Sequence, residues 1–366
     1  MVYQWYPGHM SKAKRQMQED IKLIDVVIEL VDARIPYSSK NPDIDKLAKN
    51  KSRILLLNKA DMADPDATAE WKAYYEKKGY FVALVNSKAG KGVRNVHDVI
   101  QEACKEKIER DKKKGIMNRP IRAMIVGIPN VGKSTFINSF AGKACAKTGN
   151  KPGVTKGKQW IKLNKNVELL DTPGILWPKF EDQQVGMHIA FIGSINDNIL
   201  QPTEMAYELC KFLQKNYSGM LHAKYDIEES EDGLTALERI AKKRACLLKG
   251  GVLDLEKASI FIMDDFRNTR IGRITLERPS MIEQKEREKK EKEVAIAKEN
   301  AEARAKGLAE KAARQAAKEE ALKAEKEALR LKYSGGIDYE ALEREAYEAY
   351  AEYQKEEKPS SYDFDE

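Results

Sequence analysis

Gly127-Ile-Pro-Asn-Val-Gly-Lys133-Ser134 is the stretch on which the reading of this chain turns. Its spacing is G-x-x-x-x-G-K-[ST], a loop whose backbone N–H groups converge on phosphate oxygens beside a helix N-terminus. Such a loop needs a strand before it and a helix after it. Residues 121–126 are an apolar, β-branched run and predict the strand; residues 133–142 predict the helix. In that setting Lys133 would neutralise β- and γ-phosphate charge and act in catalysis, and Ser134 would ligate Mg²⁺. Asn130, Val131, Gly132 and Thr135 complete the loop as candidate nucleotide-binding residues.

Working downstream, Asp171-Thr-Pro-Gly174 follows a second apolar run at 167–170. An Asp there holds the Mg²⁺ shell, and the Gly174 N–H can reach a γ-phosphate. Thr155, in Pro152-Gly-Val-Thr155, lies between the two motifs. It is the natural switch threonine, reaching Mg²⁺ only when the γ-phosphate is present.

The base-reading residues lie upstream instead. Asn58-Lys59-Ala60-Asp61 follows the run at 54–57. A carboxylate at Asp61 can accept from two neighbouring N–H donors of guanine, a pair that adenine lacks. Lys59 would lay its stem over the base, and Asn58 would brace the loop and face N7. Asn86-Ser87-Lys88-Ala89-Gly90 follows the run at 80–85 and would offer backbone N–H groups to guanine O6. The cofactors expected are GTP or GDP with Mg²⁺. The base motif precedes the phosphate loop, which is a circularly permuted order.

Six strands are expected, at 26–31, 54–57, 80–85, 121–126, 159–163 and 167–170, with helices at 11–25, 66–78, 93–113 and 133–142. Apolar runs alternating with helices predict an α/β fold, a six-stranded P-loop GTPase domain whose parallel sheet is covered on both faces. Helical spacing then takes over at 203–216, 234–248 and 254–268. The last has Leu255, Ala258, Ile262 and Phe266 on one stripe. Gly250-Gly251 would stop the middle helix. Lys242, Lys243, Arg244, Lys249, Arg267, Arg270 and Arg273 recur along these helices; each cluster reads either as a solvated face or as an RNA-binding surface.

The division expected is a GTPase domain at 1–178, a small all-α RNA-binding domain at 179–280 and a charged helical tail at 281–366. Charge follows it. The tail holds 18 Lys+Arg and 23 Asp+Glu, net −5, leaving 47 and 35, net +12, for residues 1–280. A basic body suits a polyanion, though the same excess also serves solubility. Residues 281–332 are almost wholly Glu, Lys, Arg and Ala, good helix formers with opposite charges three or four apart. Leucines are too sparse for a coiled-coil seam, and Gly307 weakens the run midway. The tail reads equally as a binding arm or as a solubilising, partly disordered segment.

Cys104, Cys145, Cys210 and Cys246 are scattered, which supports neither a zinc site nor a disulfide framework and fits a reducing cytosol. No apolar run approaches the roughly 20 residues that span a bilayer, and the N-terminus has no apolar signal core. A cytoplasmic protein with no membrane partner is expected.

Trp5-Tyr-Pro-Gly-His9-Met10, Val31-Asp-Ala-Arg-Ile-Pro36, NKAD, GIPNVGKS, PGVT and DTPGIL together resemble the bacterial ribosome biogenesis GTPase A (YlqF) family, over about residues 1–280. The resemblance implies late maturation of the large (50S) ribosomal subunit, GTPase activity stimulated by the ribosome, and a helical domain similar to ANTAR-type modules that contacts rRNA. A monomer is expected. Small-subunit permuted GTPases carry an N-terminal OB barrel and a Cys/His cluster, and this chain has neither. Two alternatives stay open: a nucleotide-gated RNA-binding module in which hydrolysis only releases the protein, or another translation-associated GTPase, which would normally keep the unpermuted order.

Many GTPases orient the attacking water with a Gln two residues after DxxG. Here that residue is Leu176, after Ile175, and neither can do so; Gln183 and Gln184 lie nearby. The resemblance makes His9 the candidate water-positioning residue, on a Pro7-Gly8 loop beside the end of strand 167–170. A structural histidine is the competing reading. It also makes Asn130 a candidate K⁺ ligand. Because the chain leaves the sheet soon after Gly174, residues 175–200 are expected to link nucleotide state to the helical domain.

Overall fold

The computed structural model describes residues 8–116, 119–146, 159–196, 201–230, 232–332 and 338–356, without the side chains of His9 and of residues 354–356. It has two compact units, Met1–Lys285 and Glu286–Glu366.

Helix α1 (Gly8–Asp20) and a short 3₁₀ turn lead into β1 (Val26–Asp32). The helix begins at Gly8, so His9 stands on its first turn, not on the loop expected from Pro-Gly. Every residue of β1 is buried, as a central parallel strand with both faces covered requires. Helix α2 (Pro42–Leu47), β2 (Ser52–Asn58), α3 (Pro65–Lys77) and β3 (Phe81–Val85) follow. Asn41 and Asp64 cap α2 and α3, each accepting a backbone N–H beyond a proline at the first turn. The helix expected at 93–113 is two, α4 (Val96–Ala103) and α5 (Lys105–Lys113), meeting at Cys104.

The phosphate-loop half comprises β4 (Ile121–Val126), α6 (Lys133–Ala141), β5 (Gln159–Lys162) and β6 (Val167–Asp171). The six strands form one sheet in the order β3-β2-β1-β4-β6-β5. All neighbours are parallel except β5, which runs antiparallel to β6 with Ile161 opposite Leu169. The expectation of a wholly parallel sheet therefore fails at its last strand. The cause is a tight turn in which Asn164 Oδ1 accepts from Asn166 N (2.8 Å) and Val167 N (2.9 Å). Register aligns Asp32 with Asn58, Asn58 with Val85, and Ile125 with Asp171. The motif-bearing strand ends thus share the carboxyl edge, where open α/β sheets bind ligands.

Beyond the sheet lie α7 (Gln183–Phe191), α8 (Pro202–Asn216), α9 (Met220–Tyr225), α10 (Gly233–Lys243) and α11 (Leu255–Arg267). Helices α8, α10 and α11 pack on one another. Helix α10 stops before the expected 248, because Ala245 turns left-handed (φ 49°). Gly250 and Gly251 instead turn a small loop closed by Leu248 N donating to Val252 O (2.8 Å). Residues 274–276 then return to the first half: Ile274 N donates to Met62 O (3.3 Å) and Leu276 N to Arg34 O (2.8 Å).

Helix α12 (Pro279–Lys332) buries Pro279 and Ile282 and runs unbroken through Gly307; α13 (Tyr339–Glu356) follows. At 1.5 Å per residue its 54 residues extend about 80 Å. Among the described residues no helix is long and apolar enough to cross a membrane.

Candidate nucleotide site

The site begins where β4 ends. Gly132 is left-handed (φ 96°), and a Cβ there would lie 2.5 Å from Asn58 Nδ2, so only glycine lets the base-side loop approach. Lys133 opens α6 and is buried, its Nζ donating to Gly127 O and Ile128 O at 2.9 Å each. Burial lowers its pKa to about 8, against the opposing pull of Asp171. Ser134 and Thr135 are half-buried on the same first turn.

Asp171 ends β6 and is 2% exposed. Burial raises its pKa to about 6, opposed by Lys133 and the Thr172 N–H. Its Oδ1 is buried with no hydrogen-bond partner among the described residues. A dry carboxylate oxygen with no donor is costly unless a cation meets it. With Ser134 close in sequence to Lys133, this donor set fits Mg²⁺, which takes one or two protein oxygens and fills the rest with phosphate and water. Gly174 sits tightly against the loop: a Cβ there would lie 2.8 Å from Lys133 Nζ and 2.9 Å from Pro129 N.

The base-side loop is built into the phosphate loop. Asn58 is 1% exposed and makes three bonds. Its Nδ2 donates to Val131 O (2.7 Å), and its Oδ1 accepts from Ser87 N (3.1 Å) and Ser87 Oγ (2.7 Å). One amide therefore joins three loops, and the bracing expected of Asn58 extends to the phosphate loop. Lys59, at φ 58°, donates from Nζ to Asn130 O and to Asp32 Oδ2, both 2.8 Å. Asn86 Oδ1 accepts from Ala89 N (2.9 Å), which shapes the loop where Lys88 and Ala89 are exposed. Asp61 is exposed. The arrangement can hold a polyphosphate at the Lys133 end and a purine between loops 58–61 and 86–90.

Asp32 was given no role by the sequence. Burial pushes its carboxyl up, but Arg34 and Lys59 outweigh that and hold it well below the usual carboxylate range. Arg34 Nη2 reaches its Oδ2 at 2.8 Å. The signal was an Asp and an Arg two apart where an apolar strand ends. The Gly193–Ser194 turn was missed too: Ser194 Oγ donates to Pro129 O (2.5 Å), and Asn130 Nδ2 to Gly193 O.

Thr155 lies outside the described residues, as does the His9 side chain. The next residue, Met10, is fully buried, and its sulfur accepts from Leu176 N at 3.5 Å. Gln184 is engaged by Lys285 Nζ (2.7 Å). Of the basic residues read as RNA-facing, the half-buried Arg267 and the exposed Arg273 each donate to backbone carbonyls elsewhere in the fold. Arg273 Nε donates to Ala63 O (3.0 Å) and Nη2 to Ala60 O (3.2 Å), just past the base motif. Lys242, Lys243, Arg244 and Lys249 are exposed.

The family described as 50S ribosome-binding GTPase matches residues 122–231. Ribosome biogenesis GTPase A of Bacillus cereus is 50% identical over 280 residues, covering 76% of this chain and 95% of that protein. The protein of the same name from Thermotoga maritima is 32% identical over 278 residues, covering 76% and 95%. Among solved structures, YlqF from T. maritima bound to GNP aligns with TM-score 0.52 at 29% identity, covering 73% of this chain and 98% of that one. GDP-bound YlqF gives 0.53 at 28%, covering 73% and 100%.

Proposed function

This chain belongs to the ribosome biogenesis GTPase A family, and from that premise we propose how its GTPase serves assembly of the large (50S) ribosomal subunit. It binds guanine nucleotide and hydrolyses GTP to GDP and phosphate. The motif order is a circular permutation of the usual one, so base loop 58–61 is made before phosphate loop 127–134. Residues 1–178 act as the GTPase, 179–280 as the helical rRNA-binding part through exposed basics such as Lys242 and Lys249, and 281–366 as a tail. The protein works as a cytoplasmic monomer, binding rRNA in a nucleotide-dependent way and turning over faster on the ribosome.

The observation that carries this reading is the Asn58 bridge, which joins loop 86–90 to the phosphate loop through Ser87 and Val131. In this reading Asp61 and the loop around Asn86, Ser87, Lys88 and Ala89 read guanine. The backbone of residues 130–135, Lys133 and Gly174 hold the phosphates. Mg²⁺, held by Ser134, Asp171 and Thr155, would neutralise charge developing on the phosphoryl oxygens. Asn130 is the candidate K⁺ ligand. His9 positions the attacking water. The Met10–Leu176 contact supports this, because it sets the residue beside His9 against the place where other GTPases carry glutamine.

The test is GTP turnover and co-sedimentation with 50S and 30S particles, using GDP and a non-hydrolysable GTP analogue. Stimulation by 50S alone, lost in His9→Ala with GTP affinity nearly unchanged, is expected. Equal association with both particles would overturn the 50S reading, and full stimulation in His9→Ala would remove the role of His9.

A further inference from the structure

Helix α11 returns to the phosphate loop through one turn of chain. Arg267, its last residue, donates from Nε to Phe191 O and from Nη2 to Ala190 O, both at 2.8 Å. These are carbonyls at the C-terminus of α7, which a helix leaves without intrahelical partners and where a cation is favoured. The next two residues are Ile192 and Gly193. Gly193 N folds back onto Ala190 O (2.9 Å) with φ 75°, and a Cβ on it would lie 3.4 Å from Arg267 Cζ. From that turn, Gly193 O receives Asn130 Nδ2, and Ser194, fully buried, donates to Pro129 O.

Asn130 is held at its other end as well. Its carbonyl accepts from Lys59, Lys59 pairs with Asp32, Asp32 with Arg34, and the Arg34 guanidinium lies 5.4 Å over the Phe266 ring beside Arg267. Asn130 sits at φ 60°, a left-handed conformation uncommon outside glycine, which its surroundings must fix. Both restraints on it end on the last two residues of α11.

We propose that Arg267 is a positioning residue for GTP hydrolysis. It sets the Gly193–Ser194 turn, the turn fixes the amide of Asn130 in the phosphate loop, and the packed helices α8, α10 and α11 thereby act on the nucleotide. Coupling of this kind is reciprocal, so nucleotide state also acts on those helices. The proposal rests on the reading that loop 127–134 holds the GTP phosphates, and it gives the segment 175–200 a specific part, since the Gly193–Ser194 turn that carries the coupling lies within it.

The test uses the full chain with Arg267→Ala, Arg267→Lys, Ser194→Ala, Asn130→Ala and the Arg267/Asn130 double variant. kcat, KM, the K⁺ dependence of turnover and GDP affinity are measured. Arg267→Ala should lower kcat about tenfold, with GDP affinity within about threefold. On the Asn130→Ala background the same change should lower kcat less than about twofold, because the two act through one contact. Lysine carries the charge but not the two-pronged donor geometry and should restore activity only in part. Independent, multiplying effects of the Arg267 and Asn130 changes would overturn the proposal, as would wild-type kcat in Arg267→Ala. Should that variant not fold, Ser194→Ala decides: a kcat equal to wild type sinks the coupling, and a fall absent on the Asn130→Ala background supports it. Wild-type protein that fails to hydrolyse GTP on ribosomal particles would instead sink the functional reading itself.

Discussion

Asn58→Ala is the sharpest test of how the two nucleotide loops are held. The change removes the 2.7 Å bond to Val131 O and both bonds from Ser87. Asn58, Ser87 and Val131 are 1%, 4% and 0% exposed, so solvent does not replace what is lost. The Ser87 hydroxyl can rotate to another acceptor, but the Ser87 N–H and the Val131 carbonyl cannot. Two buried groups without partners cost about 1–3 kcal/mol each, and a fall in stability of about 4 kcal/mol is expected. At about 2–4 °C per kcal/mol for domains of 150–250 residues, melting should drop by roughly 8 °C or more. Equilibrium urea unfolding measures the first quantity, and titration with a fluorescent GDP analogue measures the loops. GDP and GTP should weaken alike, each by about tenfold or more, because the bridge lies between base and phosphate loop and not at the γ-phosphate. Asn58→Asp keeps the acceptor for Ser87 but sets a carboxylate against Val131 O, so it should fail at the phosphate loop as badly. A loss under about 0.5 kcal/mol, within the range of ordinary surface changes, together with unaltered GDP affinity, would refute the bridging role.

Gly174→Ala places a Cβ 2.8 Å from Lys133 Nζ, 2.9 Å from Pro129 N and 3.0 Å from Pro129 Cα; turnover should fall at least about a hundredfold, with GTP losing more affinity than GDP, and a normal GTP to GDP affinity ratio would contradict this. Asp171 titrates near 6 and Lys133 near 8, and nucleotide binding wants both charged. Below about pH 6 binding must release a proton from Asp171, and above about pH 8 it must take one up at Lys133, so affinity should fall by up to about tenfold per pH unit on either side. Calorimetry in buffers of different ionisation heat reads those protons, and their absence at both ends would refute the coupling. For folding without nucleotide the signs reverse: the raised Asp171 pKa makes stability fall between about pH 4 and 6, and the lowered Lys133 pKa makes it rise between about pH 8 and 10.

The central strands were legible because they are largely buried apolar runs, several ending in a polar residue, as β1 ends at Asp32, β2 at Asn58 and β6 at Asp171. The phosphate loop was legible because its chemistry is local. Helices α2 and α9 were not, since six residues carry too little periodicity. Helix α7 buries His188 against Glu277 (3.1 Å), a partner 89 residues away that no window of sequence contains. The β5–β6 hairpin did leave a sign, the polar turn at Asn164, which was outweighed by the parallel pattern before it. The backbone acceptors of Arg267 and Arg273 are distant in sequence and so invisible in it: Arg267 is half-buried against α7, and Arg273, though exposed, is tied to residues 60–63 beside the base motif.

The strand order β3-β2-β1-β4-β6-β5 also sets a timetable for synthesis. Residues up to Val85 can form the half-sheet β1-β2-β3 as they leave the ribosome. One edge of β1, a strand buried along its whole length in the finished protein, then waits for Ile121–Val126 to emerge. At about 5–20 residues per second that delay is on the order of 2–8 s. During it the chain presents an open, apolar strand edge, the kind of surface that pairs with foreign strands. A factor that helps to build ribosomes thus depends, while it is itself being made, on the exit of the strand that leads into its phosphate loop to cover the edge of β1.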